Sequence, residues 1–549
     1  MGNRIPRRGP TAAWLLVLGW VLSATGLRAE VDYAAIGRLA PPGRVRETIE
    51  TLARSDSRVV GYEGADQAAL YIHQEFLDIG LQDIANQTYD VSVPVDRGGF
   101  LSLQGAGRRV RLYGVWPNLV HTSTLSDGGL DGHLIDGGGG EFADLDGEAV
   151  EGAVVLLDFN SGDNWLNSAY LGAAAVLFVE PDSTVYLEGE EKFLTMPLDV
   201  PRFWVSKDDG QFLRDQLARD EGVQTHLEYR MDWERRPAYN IMGTVPGYDP
   251  VLSRDVIVIE SYYDAMSVVP ALAKGAEQAS GVTALLELAR YFRQHPPPRT
   301  LVFLATSAHH LALRGIDDFI QRYLRQEEPF VERMLLRRVV DAALAEGLIQ
   351  ADGVDYRLGG REITGKEGLI RSIAKRDTTL VRQVLEAAVA AGEVVERQGA
   401  GYRFDGQSFG DLEQLHRELV DDGDLRRDFY RQWVDPRSDS LDVKLFISLD
   451  LSSQTDELGV WNSNTSFYYK RYFAPFGKNF MAYSRRLSRA MGYTYQDVLV
   501  NGISPEGGKS WETFVPGEIS VNSELVLTTG TPALAFVTVN DARFLVDTP

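Results

Sequence analysis

Ser261-Tyr262-Tyr263-Asp264, Gly275-Ala276-Glu277-Gln278-Ala279-Ser280-Gly281 and Ser307-Ala308-His309-His310 are the three stretches on which the reading of this chain turns. Each adjoins a segment with a plain structural pattern. Val256 to Glu260 reads as a continuous apolar strand, as a parallel sheet buried on both faces requires. Ser280 to Arg293 predicts a helix, and Thr300 to Ala305 a second strand. Strand, helix and strand in that order make a βαβ unit. The fold class expected is therefore α/β, a doubly wound mixed sheet.

Working outward, 549 residues suffice for about two to four domains, each with its own core. The composition, 44% hydrophobic and 24% charged, is that of an ordinary globular protein. A net charge of −23 argues against nucleic acid or an anionic membrane as main partner. The chain has no cysteine, which excludes disulfides and thiolate zinc sites. Arg4, Arg7 and Arg8 precede an apolar run from Ala12 to Val21, and Leu27-Arg28-Ala29 offers a small residue for cleavage. Residues 1–29 therefore read as a signal peptide, too short in its apolar part to span a bilayer, and the chain as exported, periplasmic or extracellular.

The three quoted stretches resemble the metal-binding core of the zinc aminopeptidase and glutamate carboxypeptidase family, with the chemistry altered. That family runs strand–His-Tyr-Asp, then Gly-Ala-x-Asp-x-x-Ser-Gly opening a helix, then strand–Glu-Glu. Two zinc ions about 3.5 Å apart activate one water between them there. Carried over, the first histidine ligand falls on Tyr262 and the bridging aspartate on Glu277. The general-base glutamate falls on His309, the next carboxylate ligand on His310, and the last histidine on Arg543. Asp450, ending the apolar run Leu445 to Leu451, keeps the aspartate ligand, and Asp264 keeps the residue that orients the first histidine. Neutral phenol, with a pKa of about 10, is a poor zinc ligand. Arg543 puts a positive charge where a cation would sit and is expected to pair with Asp450 or Glu277. Glu277, His310 and Asp450 remain as candidate metal ligands. Adjacent side chains of a strand point to opposite faces, so one of His309 and His310 faces the site on a strand, whereas a turn brings both near it.

The resemblance extends further. Tyr239 to Gly247 looks like the family's Asn-Val-x-Gly-x-x-x-Gly hairpin, Thr529 to Phe536 its late Pro-Ala strand, and Asp541 to Pro549 its closing segment. The aminopeptidase-like domain is expected over 30–111, 237–324 and 441–549. Residues 112–230, with a turn feeding a buried strand in Val150 to Asp158, a helix end, glycine stop and second strand in Ala169 to Phe178, and a helix capped by Ser206 or Asp208, resemble the protease-associated domain inserted in that family. Between 325 and 440, Val340 to Ile349 recurs as Leu385 to Val394, each a helix with a glycine stop followed by a hairpin ending Tyr-Arg. Such a pair resembles winged-helix modules, read in an acidic exported chain as protein-contact units.

These readings imply an exported peptidase-like protein whose zinc site has degraded, without a cofactor. Similar inactive relatives serve as receptor or scaffold ectodomains, so a peptide or protein partner is expected, with membrane tethering through sequence beyond Pro549. The alternative is a working zinc metallopeptidase with an unusual site, its metal on Glu277, His310 and Asp450.

Overall fold

A computed structural model describes residues 40–324 apart from 106, 194–197 and 221, most of 336–452, and 458–461, 499–501 and 521–539. The signal peptide expected over 1–29, Arg543 and the rest of the closing segment 541–549 lie outside the described residues.

Strands β1 (Gln82–Leu103), β2 (Arg109–Gly114), β3 (Leu130–Asp136), β4 (Val154–Asp158), β5 (Ala175–Val179), β6 (Arg202–Val205), β7 (Gln224–Val245), β8 (Val256–Tyr262) and β9 (Thr300–Thr306) precede position 325. Two small antiparallel sheets follow, β10 (Gln350–Asp352), β11 (Asp355–Leu358) and β12 (Arg361–Thr364), then β13 (Glu396–Gln398), β14 (Gly401–Phe404) and β15 (Gln407–Phe409). Strands β16 (Val443–Asp450), β17 (Leu458–Trp461), β18 (Leu499–Asn501) and β19 (Ala533–Thr538) return to the main sheet, whose order is β1-β2-β6-β5-β4-β3-β7-β9-β8-β16-β19-β17-β18. The fold is thus the mixed α/β sheet expected from the sequence.

Strands β9, β8, β16 and β19 run parallel, with Tyr262 level with Thr306 and Asp450 level with Val537. Alternation along β9 assigns the two faces. Leu301, Phe303 and Ala305 meet helices Glu63–Ile79 and Ser280–Gln294, whereas Val302 and Leu304 meet helix Arg314–Tyr323. The Ser280–Gln294 helix forms because Val282, Leu285, Leu286 and Ala289 recur at helical spacing, and that stripe is wholly buried. Gly281 lets the helix come this close, since a Cβ there would lie 2.7 Å from the Leu449 carbonyl oxygen.

Strands β1 and β7, 22 residues each, pair antiparallel from Leu103↔Thr225 to Gln82↔Thr244 and run through both halves of the sheet. The border expected between 230 and 237 falls inside β7, because backbone pairing continues across it. The 206–217 region follows its sequence signal, with Ser206 Oγ accepting from the Asp209 amide. Between 336 and 430 a separate cluster of buried side chains gathers Val339, Val340, Leu385, Ala388, Phe404 and Phe429, all from that segment.

Candidate functional site

Three parallel strands and one turn deliver the residues singled out above. Tyr262 ends β8, Asp450 ends β16, and the chain leaves β9 into a turn carrying His309 and His310. All three lie at the carboxyl ends of adjacent strands, where open α/β sheets place their sites.

The turn resolves the strand-or-turn alternative. Ala308 takes the left-handed conformation at φ 56°, as do Ala312 and Leu313 at 55° and 54°. This backbone, costly for residues with a Cβ, turns both imidazoles toward Tyr262. His309 stacks on the Tyr262 ring, centroids 4.0 Å apart and planes 14° from parallel, and His310 meets the same ring edge-on at 5.7 Å. The Tyr262 hydroxyl donates to Asp450 Oδ1 at 3.3 Å. Tyr262, His309, His310 and Asp450 are therefore brought together. Glu277 sits in the turn before helix Ser280–Gln294, where its carbonyl accepts from the Ser280 amide.

A two-zinc centre does not fit this arrangement. A phenol stands where the resemblance puts an imidazole ligand, and it engages both Asp450 and the His309 ring. Among the described residues, no group of three or more His, Asp or Glu is placed to hold a metal ion. Of the candidate ligands Glu277, His310 and Asp450, the Tyr262 side chain touches two, its ring meeting His310 and its hydroxyl donating to Asp450.

Four residues that the sequence reading passed over shape the site. Arg58 is buried and its guanidinium donates to the carbonyls of Tyr263 (2.6 Å), Lys274 (3.0 Å) and Gly275 (2.6 Å), tying down both ends of the connection after β8. Asn240 donates to the Gly315 carbonyl at 2.8 Å, holding the far end of the histidine turn. Glu260 lies inside the apolar strand, where Thr306, Ser448 and Asn522 all donate to its carboxylate. Asn522 reaches it from helix Asn522–Leu527 and also bonds His309 Nδ1 at 3.1 Å. A charged residue closing an apolar run was the one available sign of Glu260; Asn522 carries no motif.

Asp264 accepts the His309 amide with both oxygens at 3.2 Å, so the residue expected to orient the first ligand anchors the histidine turn. Burial pushes both buried acids upward. Glu260 rises from 4.5 to about 7 against the hydrogen bonds it receives, and Asp264 from 3.8 to about 7 against the His309 amide. An acid whose folded value is raised keeps a proton that the unfolded chain has released, so stability falls as pH rises between the two values. Urea melts are expected to weaken from about pH 4 to about pH 7, by at most about 1.4 kcal/mol per pH unit per group. Glu260→Gln should flatten its share of the slope. A profile unchanged in that variant would contradict the burial of a titrating carboxyl.

Residues 240–402 match the model of peptidase family M28. No curated protein matches the chain. Among solved structures, a zinc aminopeptidase from Bacillus subtilis is similar at 15% identity and a TM-score of 0.42, over 90% of this chain and 84% of that one. The aminopeptidase from Aneurinibacillus sp. strain AM-1 is similar at 14% identity and a TM-score of 0.36, over 92% and 86%. A glutaminyl cyclase from Bacteroides thetaiotaomicron is similar at 10% identity and a TM-score of 0.33, over 91% and 85%.

Proposed function

We propose that this peptidase-M28-like chain is an exported binding or scaffold protein for a peptide or protein partner, its zinc site degraded and its hydrolytic activity lost. The observation that carries the reading is the Tyr262 side chain, stacked on His309 and hydrogen-bonded to Asp450 in the middle of the ligand positions. Two-metal hydrolysis needs anionic or imidazole ligands around both ions and a base beside the bridging water. Here a phenol replaces one ligand, an imidazole replaces the base carboxylate, and Arg543 stands at the last histidine position. On this reading the 112–230 and 325–440 segments are docking surfaces, and the acidic balance of the chain suits partners other than nucleic acid. Among the described residues no helix is long and apolar enough to cross a membrane.

Elemental mass spectrometry on the purified chain, after exposure to zinc and desalting, is expected to find less than about 0.2 zinc per chain. The same protein should leave aminoacyl and peptidyl reporters uncut. Stoichiometric zinc together with hydrolysis that a chelator abolishes would overturn the proposal.

A further inference from the structure

We propose, resting on the binding reading above, that the outer side of helix Trp165–Tyr170 and of the adjoining stretch 141–151 docks a cationic segment of a partner protein, one in which lysine or arginine is interspersed with apolar residues.

Two strips of chain lie side by side here. The 141–151 stretch follows the carboxyl end of β3, and the helix leads from β4 to β5. They are joined at both ends. Asn167 Nδ2 donates to the Gly140 carbonyl at 2.9 Å, and the Gly152 amide donates to the Gly172 carbonyl at 2.8 Å. Leu145, Val150 and Trp165 anchor both strips in one buried cluster with Val155 and Val176 of β4 and β5. On the solvent side Phe142 is 61% exposed, Tyr170 71% and Leu171 41%. Apolar side chains gathered in this way within a polar rim mark a contact surface.

The rim is of one sign. Glu141, Asp144, Asp146, Glu148 and Glu151 are all exposed, and none of them forms an ion pair among the described residues. The sequence from Leu112 to Glu191 holds no lysine or arginine. Lys192, which ends that run, is turned inward, its ammonium donating to the Gly162 carbonyl at 2.7 Å and lying 5.0 Å from the Phe159 ring centre. Lys207 and Arg214 belong to helix Lys207–Leu217, whose Leu213 packs on the opposite face of the sheet with Val154 and Leu156.

Aromatic rings beside unpaired carboxylates attract a cation in two ways, through the ring quadrupole and through charge. Leu171 and the ring edges then take the apolar residues between the cations. The same field opposes other occupants. A second copy of this chain would set carboxylate against carboxylate, and nucleic acid or an anionic membrane would be repelled.

Fluorescence anisotropy on the full chain tests this, with a fluorescent peptide of lysine interspersed with leucine, blocked at both ends so that no exopeptidase shortens it. The peptide is expected to bind, and Phe142→Ser combined with Tyr170→Ser should weaken binding about tenfold or more. Glu148→Gln combined with Glu151→Gln should weaken it about fivefold and flatten its salt dependence. Tyr248→Ser combined with Val251→Ser, exposed positions on another element, should change nothing. All six positions are exposed, so each variant should melt with the parent. Absence of binding, equal binding by a glutamate-for-lysine or serine-for-leucine peptide, or an affinity indifferent to the Phe142 and Tyr170 changes would overturn the proposal. So would a dimer in sedimentation that those two changes dissolve, since the face would then belong to a second copy. Zinc and reporter hydrolysis play no part in this readout, so a metal-loaded, active chain would sink the loss of activity proposed above and leave the docking result standing.

Discussion

Arg58→Met is expected to destabilise the fold by about 3–5 kcal/mol, as the removal of a buried, fully bonded charge does elsewhere. The guanidinium is wholly buried and meets three carbonyls from two separated segments, Tyr263 on one side and Lys274 and Gly275 on the other. A methionine of similar length fills much of the volume but leaves those acceptors without the donor that brought them together. Each buried acceptor left unmatched costs about 1–3 kcal/mol, partly offset because the guanidinium no longer has to be desolvated. Asp264 adds to the penalty, since the Arg58 charge is one of the influences that lower its pKa. Arg58→Lys should recover a minor part only, because an ammonium cannot span three acceptors with the planar fork of arginine. Urea unfolding followed by circular dichroism measures the effect. A midpoint for Arg58→Met equal to the parent's would show that the connection after β8 does not depend on this cradle.

Gly315→Ala should cost about 2–4 kcal/mol through overpacking. Its Cβ would lie 2.1 Å from the Ser307 carbonyl oxygen, 2.7 Å from the Tyr89 hydroxyl and 2.8 Å from Asn240 Oδ1. The first of these is backbone and has no rotamer by which to move aside. Tyr89 also donates to that Ser307 carbonyl at 2.9 Å, so the obstruction is fixed from behind. Relief must come from displacing the turn between Ser307 and Leu313, and the His309 ring should then leave its stack on Tyr262. Gly43→Ala is the matched control, also in a helix, with nothing within 4 Å of the added methyl. It should stay within about 0.5 kcal/mol of the parent. Equal melting of the two variants would refute the close approach at Gly315.

What the sequence displayed well was local and periodic. The apolar runs at β8, β9 and β16 were readable because strands buried on both faces are apolar without a break, and the stripe of the Ser280–Gln294 helix because burial on a helix face repeats at 3.6 residues. The Ser206 cap was readable because capping is a short-range hydrogen bond. The site was readable in part. Tyr262, His309, His310 and Asp450 were found through their spacing against a known pattern, and the structure gathers them around one ring. Three kinds of information were missing. Ala308 at φ 56° gives no sign of its conformation, because glycine or asparagine is the residue that marks such a turn. Arg58 is bonded only to carbonyls, which every residue possesses, so its side chain implies no partner in sequence. Asn522 meets Glu260 across 262 positions, and such a pairing exists only once the sheet has formed.

The β1–β7 ribbon has a consequence for how the chain reaches its native state. Its nearest paired residues, Leu103 and Thr225, are 122 positions apart, and its farthest, Gln82 and Thr244, are 162 apart. During synthesis β1 therefore emerges long before its partner. Only Gly99–Ser102 find an earlier mate, in β2. Until β7 arrives, most of a 22-residue strand presents unpaired backbone groups, the kind of edge on which foreign strands add. Closing the segment between the two strands first, through the β3–β6 layer, shortens the search, and pairing can then run from the Leu103 end toward Gln82. The ribbon that makes two layers one sheet is also the late, non-local step at which the unfinished chain is most open to mispairing and aggregation.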